Sequence, residues 1–531
     1  MRSRLLALCG AVLLLAAAPG SSPSAHAAPP VRADLVVLIV VDQMRPDYFT
    51  RFHGDLTGGL RWLYDHGAVF LHARQDHALT QTAPGHSTLL SGRPPASTNI
   101  VSNARGVPDS SAPIIGAPRA DGASPAKFRG TELYDWMLAR DSNAVALSVS
   151  RKDRGAILPI GRARANVFWY AWNSTFSTST WYRDTLPAWV QAWNARRGVM
   201  RLAGSAWTPL LPAARYAEPD SFAFENGGKD IAFPHVMPAD SADLVSRIIR
   251  SPWMDSLTLD LALDGVRTLR LGRRGAPDLL VVSLSTTDEI GHDWGPDSRE
   301  MHDQMLRLDH WLGWFLDSLG TMVPRNRTVF ALSADHGAPS IPAYTREVKH
   351  QKADAYWIRD LVPRLRRELE GRWKTRFGFD LQYGLLSADV PALRARGVNV
   401  DSLSNAIARD LEARPQVLRA YTPQTLARAP KSDVIAQRWR RQVPPDHQWL
   451  AIAVLRPEFI WSSSGLSNHG TPELHDVEVP IVIAGSGIRH AVYDRPVRTT
   501  SIGPTLAKAI GVTPTEPVDG VPMPEVVGRP R

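Results

Sequence analysis

The chain has 531 residues, 44% hydrophobic and 21% charged, with a formal net charge of +9. That is globular composition for one large α/β domain with an insertion, or for two or three ordinary domains, and it excludes a disordered protein. The positive excess is mild and dispersed, which suits an anionic substrate rather than nucleic acid as a specific partner. The densest basic run, "RLRRELEGRWK" (364–374), interleaves glutamates as a solvated helix face does.

The first thirty residues, "MRSRLLALCGAVLLLAAAPGSSPSAHAAPP", carry two arginines, an apolar run and Ala25-His26-Ala27. This pattern predicts a secretory signal peptide over residues 1–27 and hence a periplasmic or secreted protein. The apolar run from Leu5 to Ala18 is too short to span a bilayer, so stable membrane insertion is not expected. The sole cysteine, Cys9, lies in this segment, so an exported chain is expected to rely on core burial and bound metals rather than on disulfides.

Four apolar, β-branched runs follow, each ending in residues that can do chemistry. "ADLVVLIVVD" ends at Asp42, "NAVALSVSRKDR" leads to Lys152 and Arg154, "PDLLVVSLSTTD" ends at Asp288, and "RTVFALSADHG" ends at Asp335 and His336. Continuous apolar runs read as fully buried parallel strands. Between them "TELYDWMLAR" (131–140) and "MHDQMLRLDHWLGWFLDSL" (301–319) read as helices. The fold class is therefore α/β, a doubly wound and mostly parallel central sheet. In such a sheet ligands bind beyond the carboxyl ends of the strands, where all these polar residues fall.

Two segments interrupt the alternation. Residues 105–128, rich in Gly, Pro, Ala and Ser, read as a loop excursion. Residues 337–465, with helical patterns near 358–373 and 402–413 and a strand "WLAIAVL", form an expected cap subdomain inserted in a core of 33–336 plus 466–525. "VEVPIVIAGSGI" (477–488) then reads as a buried strand rejoining that core.

Asp42, Asp288, His292, Asp335, His336 and His469 form a candidate metal centre. The spacing of four between Asp288 and His292 puts both on one face of a helical turn. Three carboxylates with three imidazoles suit zinc better than magnesium or calcium, which prefer all-oxygen shells. A short stretch, "TQTAPGHSTLLSG" (80–92), offers four hydroxyls, Thr80, Thr82, Ser87 and Thr88, and local pattern alone does not choose among them. It reads as a polar loop running into a helix that begins near Ser87.

Taken in order, "VVDQMRPDYF", "TQTAPGHSTLLSGRPPASTNIVSN", "DEIGHDWGP", "SADHG" and "SNHGTPELHDVEVPIVIAG" resemble the alkaline phosphatase superfamily. The resemblance is to the branch shared by nucleotide pyrophosphatase/phosphodiesterases and the phosphate-irrepressible, threonine-nucleophile alkaline phosphatases, and it runs from about residue 35 onward. It implies two zinc ions, one held by Asp288, His292 and His469, the other by Asp42, Asp335 and His336 together with the nucleophile. That nucleophile is the threonine two residues before the Pro of T-x-P-x-H, here Thr82. The phosphate-contacting asparagine closes "NIVSN" as Asn103, and the Lys-x-Arg pair of the monoesterases corresponds to Lys152 and Arg154.

The resemblance thus implies a phosphomonoesterase that acts on small phosphate esters through a phosphothreonine intermediate. Three aspartates and a Thr82 alkoxide neutralise two Zn²⁺, so Lys152 and Arg154 supply the surplus charge for a dianionic ester. The aromatic run "NVFWYAWNSTFSTSTWY" (166–182) is expected either to pack or to border this site. A phosphodiesterase using the same metals is the alternative. A sulfatase is disfavoured because "TAPGH" lacks the following arginine, and a non-catalytic scaffold because every expected ligand is present.

Overall fold

The apolar runs become strands buried on both faces. In β1 (Leu35–Val41) all seven residues are inaccessible to solvent, and each such side chain contributes about 1.5–3 kcal/mol relative to exposure. The structure, a computed structural model, describes residues 33–116, 121–171, 173–374, 376, 378–462 and 467–528. The expected signal peptide lies outside these residues.

The main sheet also contains β2 (Ala68–Arg74), β3 (Ala146–Ser150), β4 (Asn166–Tyr170), β5 (Phe176–Ser177), β6 (Asp278–Leu284) and β7 (Thr328–Ser333). The chain then forms a smaller sheet from β8 (Phe379–Gln382), β9 (Leu385–Ala388), β10 (Val417–Tyr421) and β11 (Trp449–Leu455). It returns to the main sheet with β12 (Glu478–Gly485), β13 (Ala491–Tyr493) and β14 (Val497–Arg498). The main order is β13-β2-β12-β7-β1-β6-β3-β4-β5, with β14 also on β2.

From β7 to β4 every pairing is parallel, while β12 pairs antiparallel with both β7 and β2. The sheet is thus mostly parallel, as expected. β1 lies between β6 and β7, in register Leu35 to Asp278 and Leu35 to Thr328, so these three strands end side by side. One helical group joins α1 (Gly59–His66) and α4 (Trp253–Leu269) to the long α6 (Arg299–Met322). Another pairs α2 (Thr82–Leu89) with α3 (Asp153–Ile157), and α5 (Thr286–Asp293) leads out of β6.

The segment between β7 and β12 has its own core of Leu361, Leu365, Leu386, Leu403 and Ile407, drawn from α7 (Ile358–Trp373), α8 (Val400–Glu412) and the small antiparallel sheet. A further cluster joins it to the core loops: Leu79 and Val101 pack with Leu385, Trp439 and Ile452. There the buried Gln442 amide accepts from Leu79 N at 2.8 Å and donates to Val101 O at 2.7 Å. In the excursion at 105–128, Pro108–Pro113 pairs antiparallel with Gly122–Ala123 rather than forming loop alone.

Candidate functional site

Each expected ligand stands at a strand end. Asp42 follows β1, Asp288 and His292 lie on α5 after β6, Asp335 and His336 follow β7, and His469 lies in the loop before β12. The side chains gather into two groups, Asp288/His292/His469 and Asp42/Asp335/His336, and within each group the ligating atoms lie within 4.8 Å of one another. The groups adjoin, with the His336 and His469 rings stacked at 3.6 Å between centroids.

The three imidazoles are held alike. Each contacts a backbone carbonyl through Nδ1: His292 with Ser467 at 3.0 Å, His336 with Gly337 at 3.0 Å and His469 with Thr80 at 2.6 Å. Each then turns Nε2 toward carboxylates, His292 and His469 toward Asp288 at 3.3 and 3.5 Å, His336 toward Asp42 at 3.4 Å. A carbonyl on one ring nitrogen fixes the tautomer that leaves the other lone pair for a metal. Asp42 Oδ1 and His336 Nε2 are buried without hydrogen-bond partners among the described residues, while Asp335 Oδ2 lies 3.2 Å from His86 Nδ1. Orphaned atoms of this kind are costly unless a cation satisfies them, so the residues suit metal binding.

The charges agree. Burial, together with Asp288 and Asp335, pushes the Asp42 carboxyl above its usual range. Burial also acts on Asp288, but Lys152 and His292 pull it well below. Against burial, the same Asp288 raises His292 to about 9. Burial and the neighbouring His469 lower His336 to about 3, the neutral form a ligand needs.

Thr82 begins α2 rather than preceding a helix at Ser87, so the expected boundary moves by a turn. Pro84 falls in the first turn, where its missing N–H costs nothing. Gly85 lets the helix lie on the strand end: a Cβ there would sit 2.2 Å from the Asp335 carbonyl oxygen. His86 is fully buried and contacts the Thr82 carbonyl and Ser283 Oγ, both at 2.9 Å, tying α2 to β6. Thr80, whose carbonyl orients His469, also bonds Thr471 O. Ser87 and Thr88 spend their hydroxyls on Pro84 O and Gly85 O.

Thr82, Asn103 and Arg154 line one cavity of about 470 Å³ with Asp288, His292 and His469. Asn103 Oδ1 accepts from Ala83 N at 2.8 Å, which leaves its amide NH₂ for a ligand. Lys152 is placed differently from Arg154. It is buried, and its ammonium bridges Asp42 at 2.6 Å and Asp288. Trp169 and Tyr170 are buried in β4, as packing requires, and border a separate cavity that Lys152 and Arg154 also line, not the one that holds Thr82.

Two supports escaped the sequence reading. Gln43, at φ 66°, binds Asp335 Oδ1 through its backbone N–H at 3.1 Å and Asp288 Oδ1 through Nε2 at 2.8 Å, one residue bracing both groups. Asp476 accepts from Gly470 N, Thr471 N and Thr471 Oγ1 at 2.7–3.0 Å, shaping the turn that carries His469. A carboxylate seven residues past His469 could have flagged Asp476; nothing local flags Gln43.

The sequence matches the family described as type I phosphodiesterase/nucleotide pyrophosphatase over residues 36–458. It is 27% identical to alkaline phosphatase PafA of Elizabethkingia meningoseptica, covering 94% of this chain and 95% of that protein. It is 33% identical to alkaline phosphatase PhoV of Synechococcus elongatus over 65% of this chain and 68% of the relative. The crystal structure of wild-type PafA superposes with a TM-score of 0.88 at 26% identity, over 94% of this chain and 99% of that one. The chain therefore belongs to the type I phosphodiesterase/nucleotide pyrophosphatase family of the alkaline phosphatase superfamily, on the branch that holds the PafA-type alkaline phosphatases.

Proposed function

We propose that this protein is an exported, zinc-dependent phosphomonoesterase of the alkaline phosphatase type, acting on small phosphate esters through a phosphothreonine intermediate. The observation that carries the reading is the convergence of Thr82, Asn103 and Arg154 on a cavity walled by one Asp/His group and adjoining the other. Relatives named alkaline phosphatases over nearly the whole chain support it.

In this reading Asp288, His292 and His469 hold one zinc, while Asp42, Asp335, His336 and Thr82 hold the other. Bound zinc supplies Lewis acidity: it lowers the pKa of a coordinated hydroxyl and neutralises charge on oxygen. Thr82 Oγ1 attacks phosphorus, the phosphorus–oxygen ester bond breaks and the alcohol departs. Water then hydrolyses the phosphothreonine and releases inorganic phosphate. Its position at the start of α2 favours negative charge on the Thr82 oxygen. Arg154 offers a fork of donors to the phosphoryl oxygens, and Asn103 adds its amide. Lys152, which pairs with Asp42 and Asp288, would be free to offer its charge to the phosphoryl group once those carboxylates held metal ions.

Residues 337–465 act as the cap, and cleavage after Ala27 delivers the protein to the periplasm or medium, where its N-terminus would read from Ala28. Turnover of 4-nitrophenyl phosphate against bis(4-nitrophenyl) phosphate on the zinc-loaded protein tests the activity. A higher kcat/KM for the monoester supports the reading. A preference for the diester would favour the phosphodiesterase alternative that the family description keeps open.

A further inference from the structure

The cavity that holds Thr82 shares a wall of Gln81, Asn103 and Tyr383 with a second, larger one of about 590 Å³. The second lies against the inserted segment, where Ile358, Val362, Pro363, Phe379 and Leu381 form an apolar side and the charged Arg359 and Asp380 also line it. Apolar side chains, from the buried Phe379 and Leu381 through the half-buried Ile358 and Val362 to the exposed Pro363, therefore line one side of a groove beginning where the phosphoryl-binding residues end.

Tyr383 marks the junction and is held there at a conformational cost. It forms the tip of the β8–β9 hairpin with Gly384, at φ values of 46° and 97°. A two-residue turn with positive φ at both positions favours Asn-Gly, and an aromatic side chain there is unusual. An outlier of this kind persists where surrounding contacts over-determine it. Those contacts are present: a Cβ on Gly470 would lie 2.7 Å from Tyr383 Cδ1, so the ring rests on the peptide next to His469. Asn468 Nδ2 donates to the phenol oxygen at 3.1 Å. The ring is thus fixed beside the Asp288/His292/His469 group.

We propose that Tyr383 and the groove behind it form a subsite for the organic part of the ester, selecting phosphate monoesters of flat, apolar alcohols. The proposal rests on the phosphomonoesterase reading above and adds the class of leaving group. An aromatic ring packs edge or face against Tyr383 and buries its remaining surface on Val362, Pro363 and Phe379.

The test pairs benzyl phosphate with ethyl phosphate, whose alcohols have similar acidity, so intrinsic reactivity nearly cancels. On the zinc-loaded enzyme benzyl phosphate is expected to have about tenfold higher kcat/KM, from burying one ring. In Tyr383→Ala and in Val362→Asp the benzyl-to-ethyl ratio is expected to fall at least fivefold, with the change in KM. An unaltered ratio in both variants overturns the subsite. Calorimetric binding of benzylphosphonate against ethylphosphonate gives a second readout that needs no turnover. If no monoester is hydrolysed yet the benzyl preference in binding is present and lost in both variants, the phosphomonoesterase reading falls and the apolar subsite stands. Equal binding of the two phosphonates to the unmodified protein sinks the subsite alone.

Discussion

Gln43 occupies the space that any side chain at position 291 would need: a Cβ on Gly291 would lie 1.8 Å from Gln43 Oε1. Gly291 lies one residue before His292 on α5, and Gln43 bonds both Asp288 and Asp335. The glycine is therefore the gap through which one brace reaches two ligand groups. Gly291→Ala should displace Gln43 and loosen both carboxylates. We expect zinc affinity to fall by about 10–100-fold, the usual effect of losing an outer partner of a metal ligand. Zinc content after dialysis against a graded chelator measures it, and wild-type retention would contradict this account of Gln43.

Thr82→Ala removes the proposed nucleophile and leaves the six Asp and His side chains in place. Turnover of 4-nitrophenyl phosphate should drop by about 10³-fold or more, with zinc content nearly unchanged. Brief quenching of the unmodified enzyme in acid with labelled substrate should trap phosphate on Thr82, whereas the alanine variant should trap none.

Arg154→Ala should discriminate between substrates. Its donors match a dianionic phosphoryl group, so kcat/KM for the monoester should fall by about 10²–10³-fold. The diester, with one negative charge fewer, should fall much less. Equal losses for the two would assign Arg154 a structural role.

Glu225 gives a pH dependence away from the metal groups. Burial and the neighbouring Glu300 raise its carboxyl from 4.5 to about 8. A folded-state pKa above the unfolded value means that its contribution is full below pH 4.5 and is lost as pH rises through about 8. Glu225→Gln stays neutral, and its amide oxygen can still accept from Phe222 N. Relative to this variant, the native protein should lose on the order of 2–4 kcal/mol of stability between pH 5 and 9. Urea unfolding at the two pH values reads this out, and a constant gap would refute it.

Gly85→Ala tests the approach of α2 to the sheet. The added methyl meets the Asp335 carbonyl, which is backbone and cannot swing aside. Displacement of Thr82 and Asp335 should lower kcat by at least about tenfold, since a misplacement near 1 Å can cost 10²-fold. Thermal melting should show a smaller change than activity does.

Asp42, Asp288 and Asp335 were legible because buried parallel strands read as unbroken apolar runs, and the end of each run is where the chain can expose a ligand. The His292 pairing followed from helical spacing. The start of α2 at Thr82 was hidden because Pro84 and Gly85 are poor helix formers, and packing on the Asp335 backbone overrides that preference. Gln43 and Tyr383 were hidden for another reason. Both sit at positive φ, where their residue types are rarely found, and both act on partners far away in sequence. The inserted segment's two longer helices and its strand over 449–455 showed in its pattern, but the direction in which its β8–β9 turn points did not.

The Gln442 amide and the Leu79–Trp439 cluster set a rule for building chimaeras from this family. The stretch leading to Thr82 takes its shape partly from a residue more than 350 positions later, so the seam between insert and core runs through the loop before Thr82. An insert transplanted from a relative must bring its own counterparts of Leu79 and Val101, or the recipient loses the anchorage of the loop that leads to Thr82. Recombination at the sequence junctions alone would cut that seam in the wrong place.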